Sequence, residues 1–471
     1  MTTAKRTYKY KTTPTVEQTY ALKSALKQGK YGIFFQQRVG KTKVAIDFCG
    51  VNYFKKNARK VLIVCPLSVR SEWEAQVDDH LPDEIPRLVF MYPDKDMKIN
   101  ELLKCTKKPI APLVFLVVNY DKLTTQRERI LWWDADIVIF DESHLVKHHN
   151  SKRSKASASI TKNKDMVLLL TGTPITKSWT DIFSQFKVMN PEIFGSRWVA
   201  FREKYAIMGG YMNKQVVGCT DIDDIKAIVK DHSVRVLRKS VMKEPEIEEI
   251  ILKIPFEPSA QKRYDELKKT WVTELNSGAV VEGDLAVTRL MRLQQFCGGF
   301  ATSSEGVVEQ ISSAKAEVLR DLLTTKQCGN EKMVIFHRFK AEAVLLQHVL
   351  RKFNVGYYNG SVPEDERLKV RKDFQAGKLD AIVVQIATGA MGVSFDTAHI
   401  NVFYSLDFSL MNYLQAKDRV MGRNQTSEVV TNYYLAIDKS IDLKLINTLK
   451  NNEDFASSVS DAYKAVLKGS I

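Results

Sequence analysis

The chain has 471 residues, more than one hydrophobic core ordinarily serves, so two domains with room for an insertion are expected. With 44% hydrophobic and 27% charged residues and only 13 prolines, it reads as a folded protein without long low-complexity tracts. The formal charge of +15 is spread along the chain rather than gathered in a tail, which suits a folded surface that meets a polyanion at several places.

The longest apolar runs, Val61 to Leu67 and Leu113 to Val118, are too short to span a bilayer, and the opening MTTAKRTYKYK has no apolar leader core. No membrane partner and a cytoplasmic location are expected. The six cysteines stand far apart without a CxxC pair, which fits reduced thiols rather than a structural zinc site.

From Gly32 to about Phe186, short apolar runs alternate with helical stretches. GIFF, VLIVCPL, LVFLVVNY, DIVIFDE and MVLLLTGTP each read as a strand buried on both faces, the signature of a parallel α/β sheet. From about Asn190 to Ala314 the pattern turns mostly helical, as in PSAQKRYDELKKTWVTEL and LAVTRLMRLQQFCGGF. Within that stretch YAIMGGYMNKQVVGC reads as a β-hairpin, with Gly209-Gly210 or Met212-Asn213 at the turn. The α/β rhythm then returns in KMVIFHRF, VGYYNGS, DAIVVQIATG, HINVFYSL and VVTNYYLAI, with helical AEAVLLQHVLRKF among them. The expected organisation is a first lobe over 1–190, an insertion over 191–250 attached to it, a helical linker over 251–314 and a second lobe over 315–471.

QQRVGKTKVAI follows the first strand and leads into a helix, the context of a phosphate-binding loop. Gly40 lets the backbone wrap phosphates, Lys41 reaches the β and γ phosphates, and Thr42 offers its hydroxyl to magnesium. The full GxxxxGK[ST] pattern asks for glycine where this chain has Phe35. DIVIFDESH then delivers Asp141 and Glu142 at the end of a buried strand, a pair suited to holding Mg2+ and to orienting and deprotonating an attacking water. A lone GKT arises by chance. A GKT loop, an acidic strand end and a TGTP loop in that order do not read as unrelated turns.

Together these segments resemble the Swi/Snf-like branch of the superfamily-two helicases and translocases, over nearly the whole chain. The resemblance implies two tandem RecA-like lobes that share one ATP site, with ATP and Mg2+ as cofactors and DNA as partner. It gives Gln18, in KTTPTVEQTYAL, the reading of the adenine edge, and places Arg38 and Val39 in the phosphate loop, Arg38 where many relatives carry a small residue. It gives Ser68 and Arg70 of VCPLSVRSEW, and Asn119 and Tyr120 of VVNYDKL, contacts to the nucleic-acid backbone. Thr171, Gly172 and Thr173 of TGTP would sense the nucleotide and pass its state on, and HSVRVLRKSV, near Arg235 and Arg238, resembles the basic exit from the first lobe or else a plain basic helix.

In the second lobe the resemblance sets Gln415 of QAKDRVMGRNQ against the γ-phosphate and makes Arg419 and Arg423 arginine fingers. The usual second arginine falls three residues on, where this chain has Gly422, so Arg423 stands one position late. QIATGAMGVSF contributes the Thr388 hydroxyl to strand phosphates, while Gly389 and Gly392 permit close backbone approach near strand and nucleotide. His337 and Arg338 of HRFK, with Asn359 and Gly360 after the next strand, are further candidate phosphate contacts. His337 reads equally as a satisfied strand-end histidine.

The leading expectation is an ATP-driven DNA helicase or translocase acting on duplex, forked or four-way-junction DNA. The short length resembles compact phage members of the branch, branch-migration helicases among them. The alternatives are an RNA helicase, a restriction-system motor subunit, or a clamp that binds nucleic acid without turnover.

Overall fold

The computed structural model describes residues 8–92, 112–175, 178–210, 212, 215–270, 272–274, 280–282, 286–303, 306–327, 331–389, 394–422 and 425–451. The chain divides into two compact units, Met1–Lys243 and Glu244–Ile471.

The first unit opens with α1 (Val16–Gln28), β1 (Lys30–Phe35), α2 (Lys41–Lys55), β2 (Lys60–Cys65), α3 (Arg70–His80), β3 (Arg87–Met91) and β4 (Leu113–Asn119). It continues through α4 (Tyr120–Thr125), α5 (Arg127–Trp133), β5 (Ile137–Asp141), α6 (Lys152–Thr161), β6 (Val167–Leu170), α7 (Asp181–Met189) and α8 (Trp198–Tyr205). The hairpin β7 (Ala206–Gly209) and β8 (Gln215–Cys219) follows, then α9 (Ile222–His232) and β9 (Ser233–Val236). Seven parallel strands lie in the order β3-β4-β2-β5-β6-β1-β9, so the loops leaving β5, β6 and β1 are neighbours at one edge. The central strands are buried on both faces, as continuous apolar runs require.

The hairpin forms where alternation and glycines place it, with Gly210 and Met212 at positive φ in its turn and a bulge between Ile207 and Met208. HSVRV, expected to be part of a basic exit or helix, supplies β9 instead. Ser233 and Val236 are buried while Arg235 points out, a half-buried strand paired to β1 from Gly32↔Ser233 to Phe35↔Val236.

The second unit contains β10 (Glu246–Ile254), α10 (Pro258–Thr270), β11 (Val272–Glu274), β12 (Val280–Glu282), α11 (Ala286–Cys297), β13 (Phe300–Thr302), β14 (Val308–Gln310) and α12 (Ala314–Gln327). Then come β15 (Met333–His337), α13 (Lys340–Val349), β16 (Val355–Tyr358), α14 (Glu364–Gln375), β17 (Ala381–Gln385), α15 (Ile386–Gly389), β18 (Ile400–Phe403), α16 (Leu410–Lys417), β19 (Val429–Ile437) and α17 (Ile441–Lys450). Its six parallel strands run β10-β19-β18-β15-β17-β16.

Two boundaries differ from expectation. Glu246–Ile254 pairs along its whole length with β19, so these residues belong to the second sheet, although 246–250 were expected in an insertion on the first lobe. The segment expected to be a linker, 251–314, packs into the second core through Tyr264, Leu267, Leu290, Leu293 and Phe296, because its helices bury apolar faces there. Among the described residues no helix is long and apolar enough to cross a membrane.

Candidate functional site

β1 delivers the phosphate loop. Gly40 takes φ 91, a left-handed geometry that favours glycine, and α2 starts at the next residue. Arg38 adopts φ 71, so the position where a small residue is usual carries backbone strain here. The missing glycine at 35 is accommodated because the Phe35 side chain is fully buried in the core and only its carbonyl faces the loop. That carbonyl accepts a 3.1 Å hydrogen bond from the buried Lys41 Nζ. Thr42, on the first turn of α2, is half-buried.

Gln18 is turned onto this loop. Its Oε1 accepts from Thr15 N at 2.9 Å within a capping box, and its Nε2 donates to Val39 O at 3.2 Å and Gly40 O at 3.4 Å. The N–H on one side and carbonyls on the other fix the amide orientation. Gln18 therefore braces the phosphate loop with the same amide expected to read adenine, and base recognition through it requires exchanging these bonds. Val39 is buried and its N–H donates to Gln36 O. The loop's start is tied to β9 through Gln36 N to Val236 O at 2.8 Å, and Arg238 N donates to Gln36 Oε1 at 2.9 Å.

Asp141 ends β5, with Trp73 Nε1 donating to its Oδ2 at 3.1 Å and Glu142 N to its Oδ1 at 3.1 Å. Glu142 sits at φ 53 and is clasped from three sides. Gln37 Nε2 donates to its Oε1 at 2.8 Å, Thr171 Oγ1 donates to its Oε2 at 3.3 Å, and His144 Nδ1 lies 3.3 Å from the same oxygen. Because the Thr171 hydroxyl donates to Glu142, His144 presents an Nδ1 proton to Thr171 Oγ1 at 3.1 Å. Burial and then the neighbouring Glu142 push the Asp141 carboxyl up to about 7, against the pull of Lys41 and Trp73. Burial acts upward on Glu142 too, but the hydrogen bond and charge of His144, then Lys41 and Gln37, hold it down at about 2. The two carboxyls are thus pushed in opposite directions, Asp141 up and Glu142 down.

The TGTP loop lies against the phosphate loop. A Cβ on Gly172 would come within 3.2 Å of Gln37 N and 3.4 Å of Phe35 O, so glycine permits the close approach. Thr171 is fully buried and its Oγ1 accepts from Thr173 N at 3.1 Å. Gln185 of α7 joins this loop to the acidic one: Ser143 Oγ donates to its Oε1 at 2.9 Å, and its Nε2 donates to Pro174 O at 2.6 Å. Sequence reasoning singled out neither Gln185 nor Gln37, His144 and Trp73. Gln37, Trp73 and His144 stand inside the QQRVGKT, VCPLSVRSEW and DESH segments, and Gln185 lies in none of them.

Several residues expected to touch nucleic acid are turned inward. Tyr120 is buried, and its hydroxyl donates to Asp141 O at 2.8 Å, so it braces the acidic strand end and is not available to a phosphate. Asn119 caps α4 by accepting from Lys122 N at 2.7 Å. Arg70 is half-buried with Nη2 on Tyr92 O at 3.2 Å. Ser68 lies in a 3-10 turn, Leu67–Val69, and its side chain is outside the described set.

In the second unit His337 is fully buried, donating from Nδ1 to Phe339 O at 3.0 Å, and burial lowers its pKa to about 4. A neutral, enclosed imidazole makes no phosphate contact, which corrects that expectation in favour of the strand-end reading. Arg338 is held between the Phe339 and Phe408 rings, 4.8 and 4.5 Å from their centroids, and bonds Gln294 Oε1. Asn359 Oδ1 accepts from Ser361 N at 2.9 Å in a turn that leaves Gly360 exposed. Gln415 and Arg419 are both buried. A Cβ on Gly422 would fall 2.0 Å from Asp396 Oδ2 and 2.5 Å from Asp396 Cβ, so no side chain fits where the second arginine was expected. Arg423 and Gly392, with the side chain of Thr388, lie outside the described residues, and only the backbone of Thr388 and Gly389 in α15 is described.

A phosphate loop, an acidic strand end and a TGTP loop side by side at the carboxyl edge of a parallel sheet define the nucleotide-site half of a two-lobe, helicase-type fold. The SNF2-related domain matches residues 19–299 and the helicase conserved C-terminal domain residues 314–424, and the chain belongs to the SNF2-related family. It is 26% identical over 441 residues to the human DNA annealing helicase and endonuclease ZRANB3, covering 88% of this chain and 37% of that protein. It is 25% identical over 456 residues to the Arabidopsis thaliana ATP-dependent DNA helicase DDM1, covering 90% of this chain and 58% of that one. The chain thus spans less than two thirds of the length of these relatives. A solved Sulfolobus solfataricus SWI2/SNF2 ATPase core in complex with dsDNA aligns at 19% identity and TM-score 0.44, over 98% of this chain and 96% of that one.

Proposed function

We propose that the chain is a DNA-dependent ATPase that uses hydrolysis to translocate on DNA, remodelling forks or four-way junctions by branch migration. The observation that carries it is the convergence on one sheet edge of Lys41, whose charge acts on both carboxylates, with the Asp141–Glu142 pair. Lys41 exchanges the Phe35 carbonyl for nucleotide phosphates. Glu142, ionised and fixed by Gln37, Thr171 and His144, orients the water for attack on the γ-phosphorus. A carboxylate held below its ordinary range suits a largely dissociative transition state in which positioning outweighs early proton removal.

The donor set fits magnesium. Two adjacent carboxylates at a strand end, their charges pressed together, favour a cation, and such an ion is commonly held by one or two carboxylates together with substrate phosphates. Asp141 and Thr42 would hold it, and when bound it supplies charge neutralisation on the phosphates. The roles of phosphate sensor for Gln415 and of arginine fingers for Arg419 and Arg423 rest on the family resemblance and belong to the same proposal.

The relatives' names support the choice of DNA, since ZRANB3 is an annealing helicase and DDM1 a DNA helicase. The hairpin exposes Ile207, Met212 and Val217, a surface suited to meeting unstacked bases at a junction. ATP hydrolysis measured with single strands, duplex, four-way junctions and RNA, beside strand-displacement and branch-migration assays, tests the reading. Stimulation strongest on branched DNA is expected; the absence of stimulation by every DNA sinks it. Normal junction processing by a folded hairpin-deletion variant removes the hairpin from the mechanism.

A further inference from the structure

A cavity of about 510 Å³ opens on the first unit between the α4–α5 junction and the first turns of α6. Arg127 and Arg129 line one wall and Lys152 and Lys155 the other, with Gln126 and Glu128 beside them. All four cations are exposed, and among the described residues none has an ion-pair partner. The nearby acidic charge is already engaged: Asp121 pairs with Arg153 at 2.7 Å. Glu128 alone offsets the four, so the cavity carries a positive excess that repels itself unless an anion enters.

The position adds a second argument. α4 begins directly after β4, and α6 follows the loop that carries Glu142, so both walls descend from the carboxyl edge of the sheet, where open α/β sheets bind ligands. The first residue of α4 is Tyr120, whose hydroxyl holds the Asp141 carbonyl. The wall of the cavity is thereby attached to the acidic strand end.

We propose that this cavity grips the sugar–phosphate backbone of a DNA strand, Arg127 and Arg129 from one side and Lys152 and Lys155 from the other. The proposal rests on the reading of the chain as a DNA-dependent motor. Cations on two opposing walls match a line of successive phosphates better than one small anion, and long exposed side chains suit contacts that do not discriminate sequence.

The test uses the full chain carrying R127A/R129A/K152A/K155A, with its melting curve as folding control and R127K/R129K as the charge-keeping variant. Affinity for duplex and single-stranded DNA is measured across a salt series. The fourfold variant is expected to bind roughly tenfold or more weaker whatever the sequence, with the slope of log affinity against log salt shallower by about 0.9 for each duplex phosphate no longer neutralised. The charge-keeping variant binds as the wild type does. Wild-type affinity and slope in a folded fourfold variant overturn the proposal, and so does loss of inorganic phosphate binding with DNA binding retained. DNA stimulation of the wild-type ATPase is measured alongside: its absence sinks the parent reading, whereas its presence with an unaltered variant sinks the cavity assignment alone.

Discussion

Gln185 offers the most direct test of how the hydrolytic loop is held. The side chain is fully buried on α7, receives the Ser143 hydroxyl and donates to the Pro174 carbonyl, bridging the loops that follow β5 and β6. Its further bond to Asp181 O, at 3.1 Å, goes to a carbonyl one turn back on the same helix and contributes little to the bridge. Gln185→Met keeps the volume and removes both ties, so the change is free of a large cavity. Leaving a buried hydroxyl and a buried carbonyl unpaired costs about 1–3 kcal/mol each, or roughly 2–6 kcal/mol together, before relaxation. A melting curve should report that loss. Because Thr171 and His144, one on each loop, both contact Glu142, turnover should fall at least about tenfold while the KM for ATP stays near the wild-type value, the pattern of a group lost from the transition state only. Wild-type melting and wild-type kcat together would refute the reasoning; a melting shift with normal kcat would reduce Gln185 to a structural brace.

Lys41→Ala or Glu142→Gln should abolish ATP turnover while DNA affinity is largely retained, checked by ATPase and DNA-binding assays on the same preparations. Gly422→Ala forces a Cβ against the Asp396 carboxylate and should lower stability by about 1–3 kcal/mol in denaturant unfolding, since the obstruction includes Asp396 Cβ and not just a mobile tip. Glu342 is buried and, despite bonds from Arg338 N, Phe339 N and Ser405 Oγ, burial raises its carboxyl from the ordinary 4.5 to about 7. The folded state then holds its proton more tightly than the unfolded state, so stability falls as pH rises from about 4.5 to 7. Glu342→Gln should gain on the wild type across that window by up to about 3 kcal/mol, read from unfolding curves at pH 5 and pH 8. His337, neutral by burial, is common to both proteins and drops out of the comparison.

The buried strands were legible because parallel strands covered on both faces must be continuous apolar runs, and the phosphate loop and DESH announced themselves by residue type and spacing. β9 and β10 were not, for a physical reason. SVRV is short and carries an arginine outward, and EIEEIILKI begins with acids on an edge strand that neighbours only β19, so neither reads as a core strand. Which way a loop residue faces was also hidden. Tyr120, Arg338 and His337 are polar or aromatic residues at strand ends, equally suited to a phosphate and to a buried carbonyl, and only packing decides between them. Gln185 lacked a signal altogether, and Gln37 had only its place in the phosphate-loop segment, since an amide gains its role from what the fold places opposite it.

A path of hydrogen bonds and short chain segments nevertheless joins what the motifs located to what they missed. Gln37 in the phosphate loop holds Glu142, Glu142 holds Thr171, Gln185 holds the carbonyl of Pro174, and Ser178, just beyond, lies 3.3 Å from Cys219 Sγ at the base of the hairpin. Of these four contacts two are buried and two part-buried, at 2.6 to 3.3 Å. Spatial continuity alone is no proof of coupling; the physical warrant is a link whose loss disconnects the ends. Gln185→Met leaves the chain from Thr171 to Ser178 whole and removes the tie of that loop to α7 and to Ser143. If that tie is needed to pass the nucleotide state toward the hairpin, the variant should retain more of its ATPase than of its junction processing. Equal losses in both activities would instead place the whole effect of Gln185 at Glu142.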